Sequence, residues 1–313
     1  MRTRSDRLDV RRAYERVLEA GTTRSDEIEV GGGRVHVLEK GAGPPLVLLH
    51  GSALTAGFFM PLLDQLQNVR ALAIDRPGHG LSEPIALPRR RLQERVVAWL
   101  DQLLDDLGLD STAMLGHSGG ARWALWYALA RPERVSRLVL VGPPGVAGTR
   151  APLPVRMIAT PGLGDLLSRA ARPTRDSMLR FAGFMGEKAT LGRYPEQVDL
   201  MVAASRDRGI DRVGSEEIRA LVSPLALLTP SGFRRSTRVG ARELGEVETP
   251  TLLVWGEWEP LGDVTVAKRA ATWLANGRLV VVRGGHAPWL GEPERVASAA
   301  AEFALSGEVT RPV

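Results

Sequence analysis

Residues Gly116-His117-Ser118-Gly119-Gly120 read G-x-S-x-G, a serine set among small neighbours. The apolar run Thr112-Ala113-Met114-Leu115 before them has the character of a buried strand. After them, Ala121, Ala124, Leu125, Ala128 and Leu129 fall at the i, i+3, i+4, i+7, i+8 spacing of a helix. A serine on a sharp strand-to-helix turn needs such neighbours, because strand and helix crowd it from both sides. The turn lifts the serine oxygen above the end of a sheet. It also sets the Gly119 N–H at a helix start, where a developing oxyanion is stabilised. The chemistry implied is nucleophilic attack by Ser118 through a covalent intermediate.

The elements that must position this serine are legible as alternating patterns. A hairpin is expected over Ile28–Val30 and Arg34–Glu39 around Gly31-Gly32-Gly33. Buried-type strands follow at Leu46–Leu49, Arg70–Asp75, Thr112–Gly116, Val135–Val141, Thr251–Trp255 and Leu279–Val282. Helical patterns separate most of them, the clearest running from Leu92 to Leu107 and ending at Gly108. This alternation predicts an α/β fold, a mostly parallel sheet covered by helices on both faces. The first 25 residues read as a helical extension with Val10, Tyr14 and Val17 on one face. After Val141 the alternation stops for about a hundred residues, which hold helix-like segments at Arg175–Phe184, Glu196–Arg206 and Glu216–Leu221. The expected organisation is therefore a core of residues 1–142 and 246–313, with residues 143–245 inserted as a helical cap.

Ligands of open parallel sheets bind beyond the carboxyl ends of the strands. At those ends stand Ser118, His50-Gly51-Ser52, the pair Glu257 and Glu259, and His286. A serine, an acid and a histidine thus follow one another in the chain order Ser, acid, His. Of the five histidines, His286 is the best placed to act as general base. His36 falls in the hairpin, His50 and His79 in loops, and strand alternation directs His117 away from Ser118.

On these residues the chain resembles the α/β-hydrolase superfamily. Four stretches carry the resemblance in order: His50-Gly51, Asp75-Arg76-Pro77-Gly78-His79-Gly80-Leu81-Ser82, the turn at Ser118, and Gly284-Gly285-His286-Ala287-Pro288-Trp289. The resemblance implies an eight-stranded sheet with a cap, Ser118 as nucleophile and His286 as base. It further implies oxyanion donors at the Ser52 and Gly119 amides. The triad acid it implies is Glu259, a glutamate where relatives usually carry aspartate, with Asp263 as the rival. Glu257 is read as a solvated loop charge, and the segment from Asp75 to Ser82 as structural. A serine rather than an aspartate at position 118 points to acyl chemistry. The expected activity is hydrolysis of a carboxylic ester or related acyl bond. The alternatives with the same triad are C–C bond hydrolysis, lactone or thioester cleavage, and a small-molecule-binding relative with little turnover. No cofactor and no metal are called for.

Composition narrows the partners. The chain has 313 residues and no cysteine, which excludes disulfides and a thiolate nucleophile. No apolar run reaches a membrane-spanning length, and the N-terminal residues lack the apolar stretch of a secretory signal, so a cytoplasmic location is expected. Of the 41 basic residues 38 are arginine, without a basic stripe interleaved with aromatics, so no nucleic-acid partner is expected. The partner expected is a small-molecule substrate. The excess of positive charge lies in residues 143–245, which favours substrates bearing a carboxylate. Phe58, Phe59, Leu261 and Trp289 lie near the site loops and are candidate pocket residues.

Overall fold

The computed structural model describes residues 4–19, 21–86, 88–170 and 172–306; residues 1–3 and 20 of the expected N-terminal extension lie outside them. Eight strands form one sheet: β1 (Arg24–Val30), β2 (Gly33–Lys40), β3 (Pro45–Leu49), β4 (Arg70–Ile74), β5 (Thr112–His117), β6 (Val135–Val141), β7 (Thr251–Gly256) and β8 (Gly277–Val282). Their spatial order is β1-β2-β4-β3-β5-β6-β7-β8. The contacts of β2 with β1 and β4 are antiparallel, and all others are parallel.

The central strands are apolar on both faces because helices cover both. Alternation divides their side chains between two buried clusters. Val47, Leu49, Met114, Leu138 and Leu140 join the helices Leu92–Asp106 and Gly119–Ala130 on one side. Leu46, Leu48, Leu115, Val139 and Val141 join the helices Arg4–Leu18 and Pro293–Ser306 on the other. The continuous apolar runs in the sequence are the signature of this double burial. Strand β5 lies between β3 and β6, so Ser118 emerges in the middle of the sheet.

The N-terminal helix is fastened to that middle by a hydrogen bond. Val10, Ala13 and Tyr14 are buried, and the Tyr14 hydroxyl donates to Asp75 Oδ1 at 2.6 Å while accepting from the Gly57 N–H at 3.2 Å. Asp75 also accepts from the Ala56 and Leu81 amides at 2.7 and 2.9 Å, and it meets His36 Nδ1 at 2.8 Å. Burial alone pushes this carboxyl up, but the bonds from His36, Tyr14 and Ala56 outweigh it and hold Asp75 below the usual carboxylate range. One buried anion thereby joins the first helix, β2, the loop after β3 and the turn after β4.

Between β6 and β7 every regular element of the described residues is helical. The helices Arg175–Phe184 and Pro195–Arg206 fall where the periodicity predicts them. The segment expected at Glu216–Leu221 is the end of a longer helix, Arg208–Leu221. Gly209 and Gly214 weaken its pattern, yet Asp207 caps it, accepting from the Gly209 and Ile210 amides. Two further helices, Leu153–Ala159 and Leu163–Ala170, are masked in the sequence by prolines and glycines. Pro154 is tolerated because the first turn of a helix has amides without intrahelical acceptors. Among the described residues no helix is long and apolar enough to cross a membrane.

Replacing Tyr14 by phenylalanine leaves Asp75 and the Gly57 amide each short of one partner in a buried place. The variant should lose about 1–3 kcal/mol of stability in chemical denaturation. Stability equal to the parent would show that this bond does not anchor the helix.

Candidate functional site

The turn that carries Ser118 has the geometry its sequence implies. Ser118 has φ 51° and ψ −118°, a left-handed backbone that a side chain disfavours. Its N–H donates to the Val141 carbonyl at 2.9 Å, and its carbonyl accepts from the Arg122 N–H at 3.1 Å. Its hydroxyl makes no capping bond to the helix that follows, so it is not employed as a structural N-cap. The small neighbours are obligatory. A Cβ on Gly116 would stand 2.4 Å from Ala121 Cα, and one on Gly120 would stand 2.0 Å from the Leu49 carbonyl oxygen.

The two residues whose amides are proposed for an oxyanion are neighbours in space. A Cβ on Gly119 would stand 2.4 Å from Ser52 Oγ and 3.1 Å from the Ser52 nitrogen. Ser52, Ser118, Gly119 and His286 all line one cavity of about 1270 Å³.

At the ends of β7 and β8 the structure brings Glu259 and His286 together. His286 Nδ1 lies 2.9 Å from each carboxylate oxygen of Glu259. A carboxylate only accepts, so Nδ1 carries the proton and Nε2 is left to accept one. Glutamate reaches this position by folding back over its own turn, where Oε1 also accepts from the Leu261 N–H at 3.0 Å. Room for its extra methylene comes from Gly142, at the end of β6. A Cβ there would stand 2.7 Å from Glu259 Oε2 and 2.8 Å from the His286 ring, and Gly142 itself is at φ 54°. Asp263 does something else: it is exposed and caps the helix Val264–Trp273, accepting from the Thr265 and Val266 amides. Glu257 is exposed, as expected.

Three of the other histidines are engaged elsewhere. His50 Nε2 accepts from the Arg76 N–H at 3.0 Å and Nδ1–H donates to the Gly51 carbonyl at 2.8 Å; burial and then the Arg76 charge hold its pKa well below the usual value. Burial brings His79 down to about 4. His36 bridges Asp75 and Ser25. His117 departs from expectation: it lies beside the site, its ring centroid 4.8 Å from that of His286. Alternation itself holds, since His117 packs on Phe58 and Trp289 on the face of β5 that carries Ala113 and Leu115; the loop after β8 folds over that face and brings His286 to it. His117 Nε2–H donates to the His286 carbonyl at 3.0 Å, and burial, then the neighbouring His286, keeps its pKa well below the usual value.

Of the candidate pocket residues, Phe58 and Leu261 line the cavity. Phe59 and Trp289 are core: their rings pack at 5.2 Å, and the Trp289 indole N–H donates to the Phe58 carbonyl at 3.2 Å. The segment between β6 and β7 supplies most of the remaining lining, largely apolar, including Ile158, Leu167, Met178, Phe181 and Met201. Arg172, Arg206 and Arg208 line it as well and are exposed, so they mark where the cavity meets solvent. Among the described residues no group of three or more histidines or carboxylates is placed to hold a metal ion.

A family model described as the alpha/beta hydrolase fold matches residues 44–293. A pimeloyl-[acyl-carrier protein] methyl ester esterase of Nitrosomonas europaea is 31% identical over 270 residues, 84% of this chain and 97% of that protein. A 2-hydroxy-6-oxononadienedioate/2-hydroxy-6-oxononatrienedioate hydrolase of Cupriavidus pinatubonensis is 30% identical over 286 residues, covering 87% and 92%. The crystal structure of carboxylesterase CesB from Bacillus subtilis superposes with a TM-score of 0.75 at 22% identity, over 97% of this chain and all of that one.

Gly142 has no polar group, yet its missing Cβ is what admits the Glu259–His286 pair. Gly142→Ala should lower turnover of a p-nitrophenyl ester by at least about tenfold through displacement of the imidazole. Unchanged turnover would mean that the pair tolerates a shift of this size.

Proposed function

The chain belongs to the α/β-hydrolase family, and on that footing we propose that it is a serine hydrolase cleaving a carboxylic ester. The observation that carries the reading is the His286–Glu259 pair, which opens onto the same cavity as a strained, uncapped Ser118. Ser118 Oγ attacks the carbonyl carbon and passes its proton to His286 Nε2. Glu259 keeps the proton of Nδ1 in place and stabilises the imidazolium that forms; it does not itself take the proton. The negative charge on the carbonyl oxygen falls on the Ser52 and Gly119 amides, each worth about 3 kcal/mol in the transition state. His286 then protonates the departing alcohol. Water attacks the acyl-Ser118 ester with the same imidazole as base, and the acid is released.

Residues 143–245 act as the cap in this reading. They make the distal part of the cavity apolar and place arginines at its mouth. An ester with an apolar body and an anionic end matches that distribution. The relatives lend support, since one acts on a methyl ester of an acyl group held on a carrier protein and the other on a dioate. The second supports an alternative, C–C bond hydrolysis of a dioate by the same three side chains.

Ser118→Ala should cut ester turnover by about 10⁴–10⁶-fold and abolish fluorophosphonate labelling at this site. Persistent labelling of the same peptide would refute the nucleophile. Tight ligand binding without turnover in the parent would instead indicate a binding protein. Glu259→Gln should cost about 10³–10⁴-fold in turnover. Asp263→Ala should lose about 1 kcal/mol of stability, the worth of an N-cap, with activity retained. The reverse ranking would transfer the acid role to Asp263. The KM of a carboxylate-bearing ester should rise with ionic strength, while that of its neutral analogue stays flat. A parallel response of the two would remove the arginines from substrate recognition.

A further inference from the structure

The helical segment between β6 and β7 sends two buried carboxylates onto the two loops that carry the proposed machinery. Glu187 meets the histidine loop. Its Oε1 accepts from the Gly285 N–H at 2.8 Å and the Ala287 N–H at 2.9 Å, and its other oxygen takes the Thr190 hydroxyl. The amide between these two, that of His286 itself, donates to the Met185 carbonyl at 2.9 Å. Three successive N–H groups centred on His286 are therefore held by residues 185 and 187. The approach is close enough to require glycine, since a Cβ on Gly285 would stand 2.2 Å from the Met185 oxygen.

Glu217 meets the oxyanion loop. It accepts from both Arg76 Nη atoms, at 2.5 and 3.0 Å, and stands with the Ser52 side chain against Gly119. Its Oε1 would lie 3.1 Å from a Cβ on Gly119. Arg76 lies over the Trp123 ring at 4.5 Å, and its N–H holds His50 at the start of the same loop. Burial penalises the Glu217 carboxylate most, but the charge and hydrogen bonds of Arg76, with the other neighbours, together outweigh the penalty and keep its pKa below the usual value. The guanidinium also cancels an anion that would otherwise oppose negative charge beside Gly119.

Apolar residues suffice to seat one layer of helices on another. Carboxylates are costly to bury, and both stand against loops whose amides and imidazole must be aimed closely. We propose that Glu187 and Glu217 are positioning residues, through which the seated cap fixes His286 and the Ser52 amide for the reaction. The proposal rests on the Ser118–His286–Glu259 reading.

The test compares Glu187→Ala, Glu187→Gln and the double variant Arg76→Met/Glu217→Met in the full chain, following p-nitrophenyl ester hydrolysis and thermal unfolding. Glutamine keeps an oxygen for the two amides. The double replacement removes the ion pair beside Ser52 and Gly119 without leaving a buried charge unpaired, so it should fold. Glu187→Ala should lower kcat by about 10–100-fold with KM changed by less than about threefold, and Glu187→Gln should restore most of the loss. The double variant should unfold at or near the parent temperature yet lose about tenfold in kcat. Unchanged kcat in the alanine and double variants, with only the unfolding temperature moved, would overturn the proposal. So would equal losses in the alanine and glutamine variants. A Ser118→Ala enzyme that still turned over would sink the serine-hydrolase reading itself, a result separable from these.

Discussion

Ser118 keeps a backbone conformation, φ 51° and ψ −118°, that a residue with a Cβ resists at a cost of about 1–3 kcal/mol. It persists because the surroundings leave no relaxed alternative. Its N–H is taken by β6 and its carbonyl by the helix it begins, while Gly116 and Gly120 allow Ala121 and Leu49 to close in on either side. Relaxing the turn would part the helix Gly119–Ala130 from β3. That would expose side chains such as Ala121, Ala124 and Leu125, which are wholly buried. The strain at one residue is thus sustained by the buried packing of the helix it begins against the middle of the sheet.

Around that point, buried polar groups set the loops. Asp75 gathers four segments, Glu259 and Gly142 fit the imidazole, and Arg76 bridges the loop after β4 to a helix of the inserted segment. Each group is paired, so none carries the full cost of losing water. The oxygen-rich middle of the molecule contrasts with the cavity wall, where apolar side chains predominate and exposed arginines stand at the rim.

The fold was legible because period and length are local properties. Eight strands and the helix after Ser118 could be read from apolar runs and the glycines between them. The serine and the histidine could be named as candidates because each stands at a strand end, a position the sequence marks, whereas that survey left Glu257 beside Glu259 and only the family resemblance singled out Glu259. Three things were not legible. Gly142 looks like any strand-ending glycine, and only the partner strands show what its missing Cβ admits. Alternation gives the face His117 occupies but not what covers it, and a loop from 169 positions away brings His286 to that face. Glu187 and Glu217 lie in a region where a local period can mark a helix, as at Glu216–Leu221, but not which distant loop its side chains meet. Prolines and glycines near helix starts hid two helices there for the same reason: a breaker and a first-turn residue are spelled alike.

The insertion also divides the chain in time. Ser118 lies on the near side of it, while Glu259 and His286 arrive only after β7 has found β6, the pairing of Leu138 with Thr251. That closure spans over a hundred residues of sequence, from Val141 to Thr251, and non-local strand pairing of this kind is slow. On the proposed mechanism, a chain with only the first six strands paired holds the Ser118 hydroxyl without the imidazole assigned as its base. Recovery of that activity on refolding would then require the closure of β7 onto β6 as well as the turn at Ser118.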